Sequence, residues 1–447
     1  MTRSIFRRAV APVLALFVLW PSTGAGQTIV GPDSVLVSEL DTLIRQTNPE
    51  LRAREAALAA AEARVRAAGS YGPVVLSAEL EEVPNGLDVG QGGSFRLDLS
   101  RELFSGGLPA ARRSLASRAV DRARRELTLA RRSLLARADG ALGRYLGGLA
   151  VSRRLAAQDS LLAGAQDAVT SRFAVGAARY VDVLRLRTER LRTQVEAAQA
   201  RTEALQARRS LLGLVGPEDS IVAVFGAKLD RLALRAPLLL ERFSFPSPPA
   251  LDSLVAASAS VQLAEVAVQQ ADAGVRLAKA GQRTRVGLSL GVQRFGDEAN
   301  GHVVGPTVGA SMTLPFTARG AGRATIEAAE HERVASTAEL RGNRARATAV
   351  LGAARDRYEA AIANARLFES ALLQGAREER ENALAGYRVG SLSLLELLDF
   401  ERALTQAEIS RTRSLVTAAE ALAELLAGAF EVPGRSGPAT DLSGGDL

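Results

Sequence analysis

The stretch "RFAVGAARYVDVLRLRTERL" runs from Arg172 to Leu191, and "GYRVGSLSLLELLDFERALT" runs from Gly386 to Thr405. Each has an aromatic residue, then Val-Gly two positions on, a short polar stretch, an acidic residue and a long helical pattern. Phe173 aligns with Tyr387, Gly176 with Gly390, Asp182 with Glu396 and Leu184 with Leu398. Far upstream of each hinge, Val65 aligns with Val275. The chain therefore repeats itself, and a duplication this regular dictates the architecture.

Outward from each hinge the order is the same: helix, strand, strand, very long helix, hinge, helix. In the first half, Val37–Ala68 is expected to be helical with a break at Asn48-Pro49. "LFSGGLPAARR" (103–113) stops a strand and starts a helix, with Pro109 suited to its first turn. No proline follows until well past Phe173, so a helix of about 65 residues, roughly 100 Å long, is expected. That length points to a coiled coil or helical barrel. A second helix is expected from Val181 to Leu214. In the second half, Ala250–Ala280 should be helical, a helix of about 65 to 70 residues should end at Tyr387, and a last helix should run to Ala427.

Four short segments alternate. Leu76, Ala78 and Leu80 oppose Ser77, Glu79 and Glu81; Phe95, Leu97 and Leu99 oppose Arg96, Asp98 and Ser100. Val286, Leu288, Leu290 and Val292 oppose Gly287, Ser289, Gly291 and Gln293; Val308, Ala310, Met312 and Leu314 oppose Thr307, Gly309, Ser311 and Thr313. The intervening "RFGDEANGHVVGP" (294–306) reads as a polar loop. These strands have the length of tilted membrane strands, roughly 9 to 11 residues, with an apolar and a polar or small face. A small soluble sheet on a helix is the plain alternative, but nothing apolar in the sequence is large enough to cover them. Four strands cannot close a barrel, whereas three copies would supply twelve.

Arg3, Arg7 and Arg8 precede a short apolar run, Ala9–Trp20, and small residues follow, so residues 1–26 read as a secretory signal peptide cleaved near Ala25 or Gly26. Three arginines of the net charge of +7 lie in that signal. The remaining basic residues interleave with acids on helical faces, which favours solvated ion pairs over nucleic-acid binding. There is no cysteine, hence no disulfide, thiolate site or acylated cysteine. His302 and His331 are the only histidines and fit no metal-ligand or triad pattern, so neither catalysis nor a cofactor is expected. The chain divides into the signal peptide, a first repeat (27–215), a connector (216–249), a second repeat (250–430) and a polar, disordered tail (431–447).

Signal peptide, duplicated order and hinge stretches together resemble the TolC family of outer-membrane efflux channels. The hinge stretches carry the family's aromatic-x-Val-Gly pattern, and "LFSGGLPAARR" and "LPFTARGAGRA" resemble its strand-to-helix junctions. The resemblance implies a mixed, mostly α fold. As a homotrimer it would form a twelve-strand outer-membrane β-barrel continued by a periplasmic α-helical barrel. It implies a passive exit duct served by an inner-membrane pump through a periplasmic adaptor protein, with outer-membrane lipid around the barrel. By the family's motif, adaptor contacts fall on Val175, Gly176 and Ala177 and on Val389, Gly390 and Ser391. Turn geometry alone would also explain these glycines. Glu396 and Asp399 match acids that ring the tunnel entrance as a cation-favouring, pH-sensitive gate. For Glu396, a helix N-terminal acid stabilised by the dipole is the other reading, as it is for Asp182. The sequence departs from the family in its thin aromatic belt, with only Tyr71, Phe95, Phe104, Phe295 and Phe316 near strand ends. The competing function is a coiled-coil structural protein of the envelope, which would have no use for amphipathic strands.

Overall fold

The computed structural model describes residues 32–70, 72–81, 94–234, 245–297, 301–314, 319–389 and 391–428. The expected signal peptide, Tyr71, the turn residues 83–93, Phe316, Gly390 and the tail 431–447 lie outside the described residues.

The first half runs α1 (Pro32–Thr47), α2 (Pro49–Ala68), β1 (Val75–Glu81), β2 (Ser94–Phe104), α3 (Leu108–Ala174) and α4 (Tyr180–Gly213). The connector contributes α5 (Asp219–Leu234). The second half runs α6 (Leu251–Ala256), α7 (Ala259–Gly281), β3 (Arg285–Asp297), β4 (Gly301–Thr313) and α8 (Arg319–Leu367). A π turn (Phe368–Leu372), α9 (Leu373–Arg388) and α10 (Leu394–Gly428) complete it.

The long helices are held by heptad seams. On α3, Val120, Leu127, Leu134, Ala141, Leu155, Leu162 and Val169 are buried at seven-residue spacing, with Gly148 filling the one gap in the series. On α4 the same spacing joins Leu186, Thr193, Ala200 and Ala207, and on α10 Leu397, Leu404, Ala418 and Leu425. A sustained seven-residue repeat keeps one stripe facing its neighbours and winds the helices left-handedly. α3 packs on α4 along one side and on α10 along the other. α8 packs on α10 and α7.

Three expectations are corrected. The described part of the stretch 294–306 is strand and not loop: β3 continues to Asp297 and β4 begins at Gly301, with Phe295 opposite Val303 and Val292 opposite Pro306. Its Gly, Asp and Pro content reads as turn, but backbone pairing is indifferent to most of it. Pro306 is tolerated because β4 is an edge strand within the chain. The second long helix is not continuous to Tyr387; the π turn interrupts it. On α10, Arg411 occupies the heptad position between Leu404 and Ala418, and it reaches Glu369 of that π turn at 3.3 Å. The expected helix Ala250–Ala280 breaks at Ala257–Ser258 into α6 and α7.

Two buried polar contacts fix the ends of the halves. Asn48 caps α2, its Oδ1 accepting from the backbone N–H groups of Glu50 (2.9 Å) and Leu51 (3.2 Å). Its Nδ2 donates to the Leu214 carbonyl at the end of α4 (2.7 Å). Tyr358 on α8 donates its hydroxyl to the Pro246 carbonyl (2.8 Å), tying the end of the connector to the bundle. Burial pushes that hydroxyl's pKa up to about 12.

Candidate channel wall and hairpin tips

The strands form one antiparallel sheet in the order β1-β2-β3-β4. Its register turns the alternation of each strand into rows that cross the whole sheet. Leu76, Leu99, Leu290 and Val308 make one row; Ala78, Leu97, Val292 and Pro306 make the next; Leu80, Phe95, Arg294 and Val304 the one after. This face is bare, with Val308 74% and Leu76 62% exposed. The opposite face carries the row Ser77, Asp98, Gly291 and Thr307 and the row Glu79, Arg96, Gln293 and Gly305. There Thr307 donates to Asp98 Oδ1 (3.1 Å) and Arg96 pairs with Asp98 (2.7 Å). Polar groups thus meet one another along β2 and across to β4 on this face, while apolar side chains line the other, the reverse of a soluble sheet. Among the described residues, β1 and β4 each leave one edge unpaired, an arrangement that asks for another strand.

At the opposite end of the helices the two hinges are built alike. Helix α3 ends in a Schellman motif: Ala177 N–H donates to the Arg172 carbonyl (2.8 Å) and Gly176 N–H to the Phe173 carbonyl (2.9 Å). Gly176 has φ +76°, with nothing within 4 Å of where a Cβ would stand, so the backbone rather than space demands glycine there. At the second tip, Ser391 N–H donates to the Gly386 carbonyl (2.9 Å), at the same six-residue span and the same alignment. Gly390 itself lies outside the described residues. Phe173 and Tyr180 meet across the first tip with ring centroids 5.5 Å apart and planes tilted by 43°, over a core of Leu162, Val169 and Leu186. Val175 and Val389, 79% and 80% exposed, stand out from the tips as matching apolar points.

Glu396 and Asp399 are one turn apart on α10 and have different surroundings. Ser393 and Glu396 form a capping box: Ser393 N–H donates to Glu396 Oε2 (2.7 Å), and Glu396 N–H donates to Ser393 Oγ (3.3 Å). The first half has no such box. Its N-cap is Arg179, which instead meets Asp182 as a 3.4 Å ion pair. Asp399 is largely exposed and lies 3.9 Å from Arg402, which donates through Nε to Glu189 of α4 (2.9 Å). That hydrogen bond is the main reason the Arg402 pKa is raised. A cavity of about 460 Å³ between the hairpins is lined by Leu162, Leu186, Glu189, Leu398, Asp399 and Arg402, among others. Sequence reading missed Glu189 and Arg402, because nothing in either hinge stretch indicates which residues of the two hairpins face each other.

The capping box has a pH signature. Its bond from the Ser393 backbone, and then its bond with the Ser393 hydroxyl, hold the Glu396 carboxyl below its ordinary pKa. A depressed carboxylate contributes stability above its unfolded pKa, about 4.3, that is lost as pH falls through the folded value. Hydrogen-exchange protection of the first turn of α10 is therefore expected to fall over that acidic window. In Glu396→Ala the protection should start low and show no such step. An equal step in the variant would assign it to another group.

Residues 250–428 match the family model for the outer membrane efflux protein. A search of curated sequences finds no match. Among solved structures, the chain is similar to a membrane protein from Pseudomonas aeruginosa, at TM-score 0.72 and 20% identity, covering 88% of this chain and 92% of that one. It is similar to the outer membrane protein VceC from Vibrio cholerae, at TM-score 0.69 and 18% identity, covering 89% and 97%. It is also similar to the open state of the MtrE outer membrane channel of Neisseria gonorrhoeae, at TM-score 0.69 and 19% identity, covering 88% of each. The second repeat thus carries an outer membrane efflux protein domain. The whole chain has the fold of the TolC-family channels, as the two hinge stretches led one to expect.

Proposed function

We propose that three copies of this chain close a twelve-strand barrel in the outer membrane, four strands from each, and continue it as a helical tunnel in the periplasm. The assembly is a passive exit duct and not an enzyme. An inner-membrane pump drives the substrate, and a periplasmic adaptor joins pump to duct. The observation that carries this reading is the set of bare apolar rows across a sheet with two open edges. Such a face is stable in lipid, and such edges are satisfied by neighbouring copies. A coiled-coil envelope protein gives these rows no purpose. The family match of residues 250–428 supports the same reading.

The adaptor docks at the tips, on Val175, Gly176 and Ala177 and on Val389, Gly390 and Ser391. Glu396 and Asp399, repeated three times about one axis, line the entrance and favour cations. Replacing Val175 and Val389 together by Arg leaves the Schellman hydrogen bonds intact and removes both apolar points. The double variant is expected to insert normally, to lose adaptor cross-linking and to lose export-dependent drug tolerance. Unchanged cross-linking and tolerance would remove the tips from the docking surface.

A further inference from the structure

We propose that the π turn Phe368–Leu372 is the hinge at which the tip half of the second hairpin bends to widen the tunnel entrance, while the first hairpin stays rigid. The inference rests on the reading of the tips as that entrance. On α3, Leu134, Ala138, Ala141 and Tyr145 are buried, and on α8, Ala347, Leu351, Ala354 and Tyr358 repeat the spacing. Arg144 and Arg357, each one residue before its tyrosine, both pair with acids of α10, Glu420 and Glu424. Nearer the tips, Val169 and Ala383 are the matching buried positions, each four residues before its hinge aromatic. Val169 follows Tyr145 by 24 residues, but Ala383 follows Tyr358 by 25. The second half therefore holds one residue more over this span. The π turn lies inside the span, and a π turn closes its hydrogen-bonded ring over one extra residue.

Packing is thin where the extra residue sits. No side chain from Arg366 to Leu372 is buried, and Leu367 and Leu372 are exposed. The matching part of α3 buries Leu155 and Gln158. Across the hairpin, at the same height, Arg411 takes a seam position of α10 and pairs with Glu369 (3.3 Å). An ion pair thus stands where apolar contacts hold the rest of the seam. Thr412 and Ser414 of α10 donate their hydroxyls one turn back, to the carbonyls of Glu408 (2.9 Å) and Ser410 (3.0 Å). Ser370 in the π turn does the same to Arg366 (2.9 Å). Such bonds soften a helix and let it bend, and few buried contacts mean low local stability. Both helices of the second hairpin are therefore weak at one level, about 25 Å above its tip. A bend of about 20° there would carry the tip about 9 Å. In the first hairpin, α3 runs unbroken for 67 residues, so the motion belongs to the second.

The test uses the full-length protein in nanodiscs and two readouts. The chain has no cysteine, so a spin label on Arg388→Cys, or on its exposed counterpart Ala174→Cys, reports distances among copies at one tip. Distances at Arg388 should be broadly spread and those at Ala174 narrow. Amides of 366–373 should exchange about ten-fold faster than those of 153–159 on α3. Deletion of Ser370 restores the residue count of the first half, so both the seam and the tip keep their register. It should remove the exchange difference and narrow the Arg388 distances to the spread at Ala174. Glu369→Gln, which removes the ion pair and leaves the count alone, should shift the Arg388 distances outward. Equal spreads at the two tips of the wild type would overturn the hinge. So would a deletion that changes neither readout, or a Glu369→Gln protein with unshifted distances. Labels that show no distance to one another would overturn the three-copy reading itself, and this inference with it.

Discussion

Gly147→Leu is expected to be among the most damaging single substitutions in the helical part of the chain. Gly140, Gly143 and Gly147 lie on the α3 face that meets Ala423, Ala419 and Val416 of α10. A Cβ at these three positions would stand 3.7, 3.1 and 2.1 Å from its nearest neighbour in turn. The facing Cβ atoms stay 3.1–3.7 Å away along this stripe, Val416 Cβ being 3.6 Å from the Gly147 position, so the 2.1 Å approach comes from the Val416 Cγ2 methyl, where a stiff, β-branched valine fills the space. Each glycine costs about 1 kcal/mol against alanine in a helix interior, so only close approach explains three of them. A leucine at 147 must drive the helices apart, and overpacking of this kind costs roughly 1–3 kcal/mol or more. We expect a loss of about 3 kcal/mol by thermal unfolding in detergent. The sign should change along the stripe. Gly140→Ala, which meets only ordinary contact, should be neutral or stabilising by up to about 1 kcal/mol. Val416→Ala should rescue Gly147→Ala, which a double-mutant cycle would show as a coupling term. Equal effects at Gly140 and Gly147 would contradict the steric role of the Val416 methyl.

Asn48→Ala is expected to cost about 2–4 kcal/mol, from a lost helix cap and an abandoned carbonyl together. Asn48 is only 5% exposed and uses both arms of its amide. Alanine leaves the Glu50 and Leu51 N–H groups without their acceptor and the Leu214 carbonyl without its donor. Asn48→Ser keeps a capping oxygen but lacks the second arm, so it should recover about 1 kcal/mol of the loss. Recovery of the whole loss by serine would mean that the bond to Leu214 contributes nothing.

Much of this fold is readable because its signals are periodic and doubled. The hinge pairs Arg172/Ala177 and Gly386/Ser391, aligned from sequence, make the same backbone hydrogen bond. The alternation of Leu76, Ala78 and Leu80 with Ser77, Glu79 and Glu81 separates an outward from an inward face because a pleat has period two. What escaped reading depends on partners remote in sequence. "RFGDEANGHVVGP" has the composition of a turn, and only its pairing across the ladder makes most of it strand. The π turn is stabilised by Arg411 on another helix, and Glu189 meets Arg402 across two hairpins separated by hundreds of residues. For Glu396, "SLLE" (393–396) already spells a capping box, so the dipole-stabilised reading was legible. Its neighbour Asp399, exposed beside the inter-hairpin cavity, is the better placed of the two acids to meet a passing ion.

Planar-bilayer recording of the detergent-purified protein tests the duct most directly, with wild type and the Glu396→Ala/Asp399→Ala variant measured side by side. The account predicts small, stable, cation-selective steps from the wild type. In the variant the steps should be larger and the cation preference reduced. Absence of conductance from both proteins, in preparations shown to have inserted, would contradict it: the strands would then close no channel, and the chain would be a structural element of the envelope.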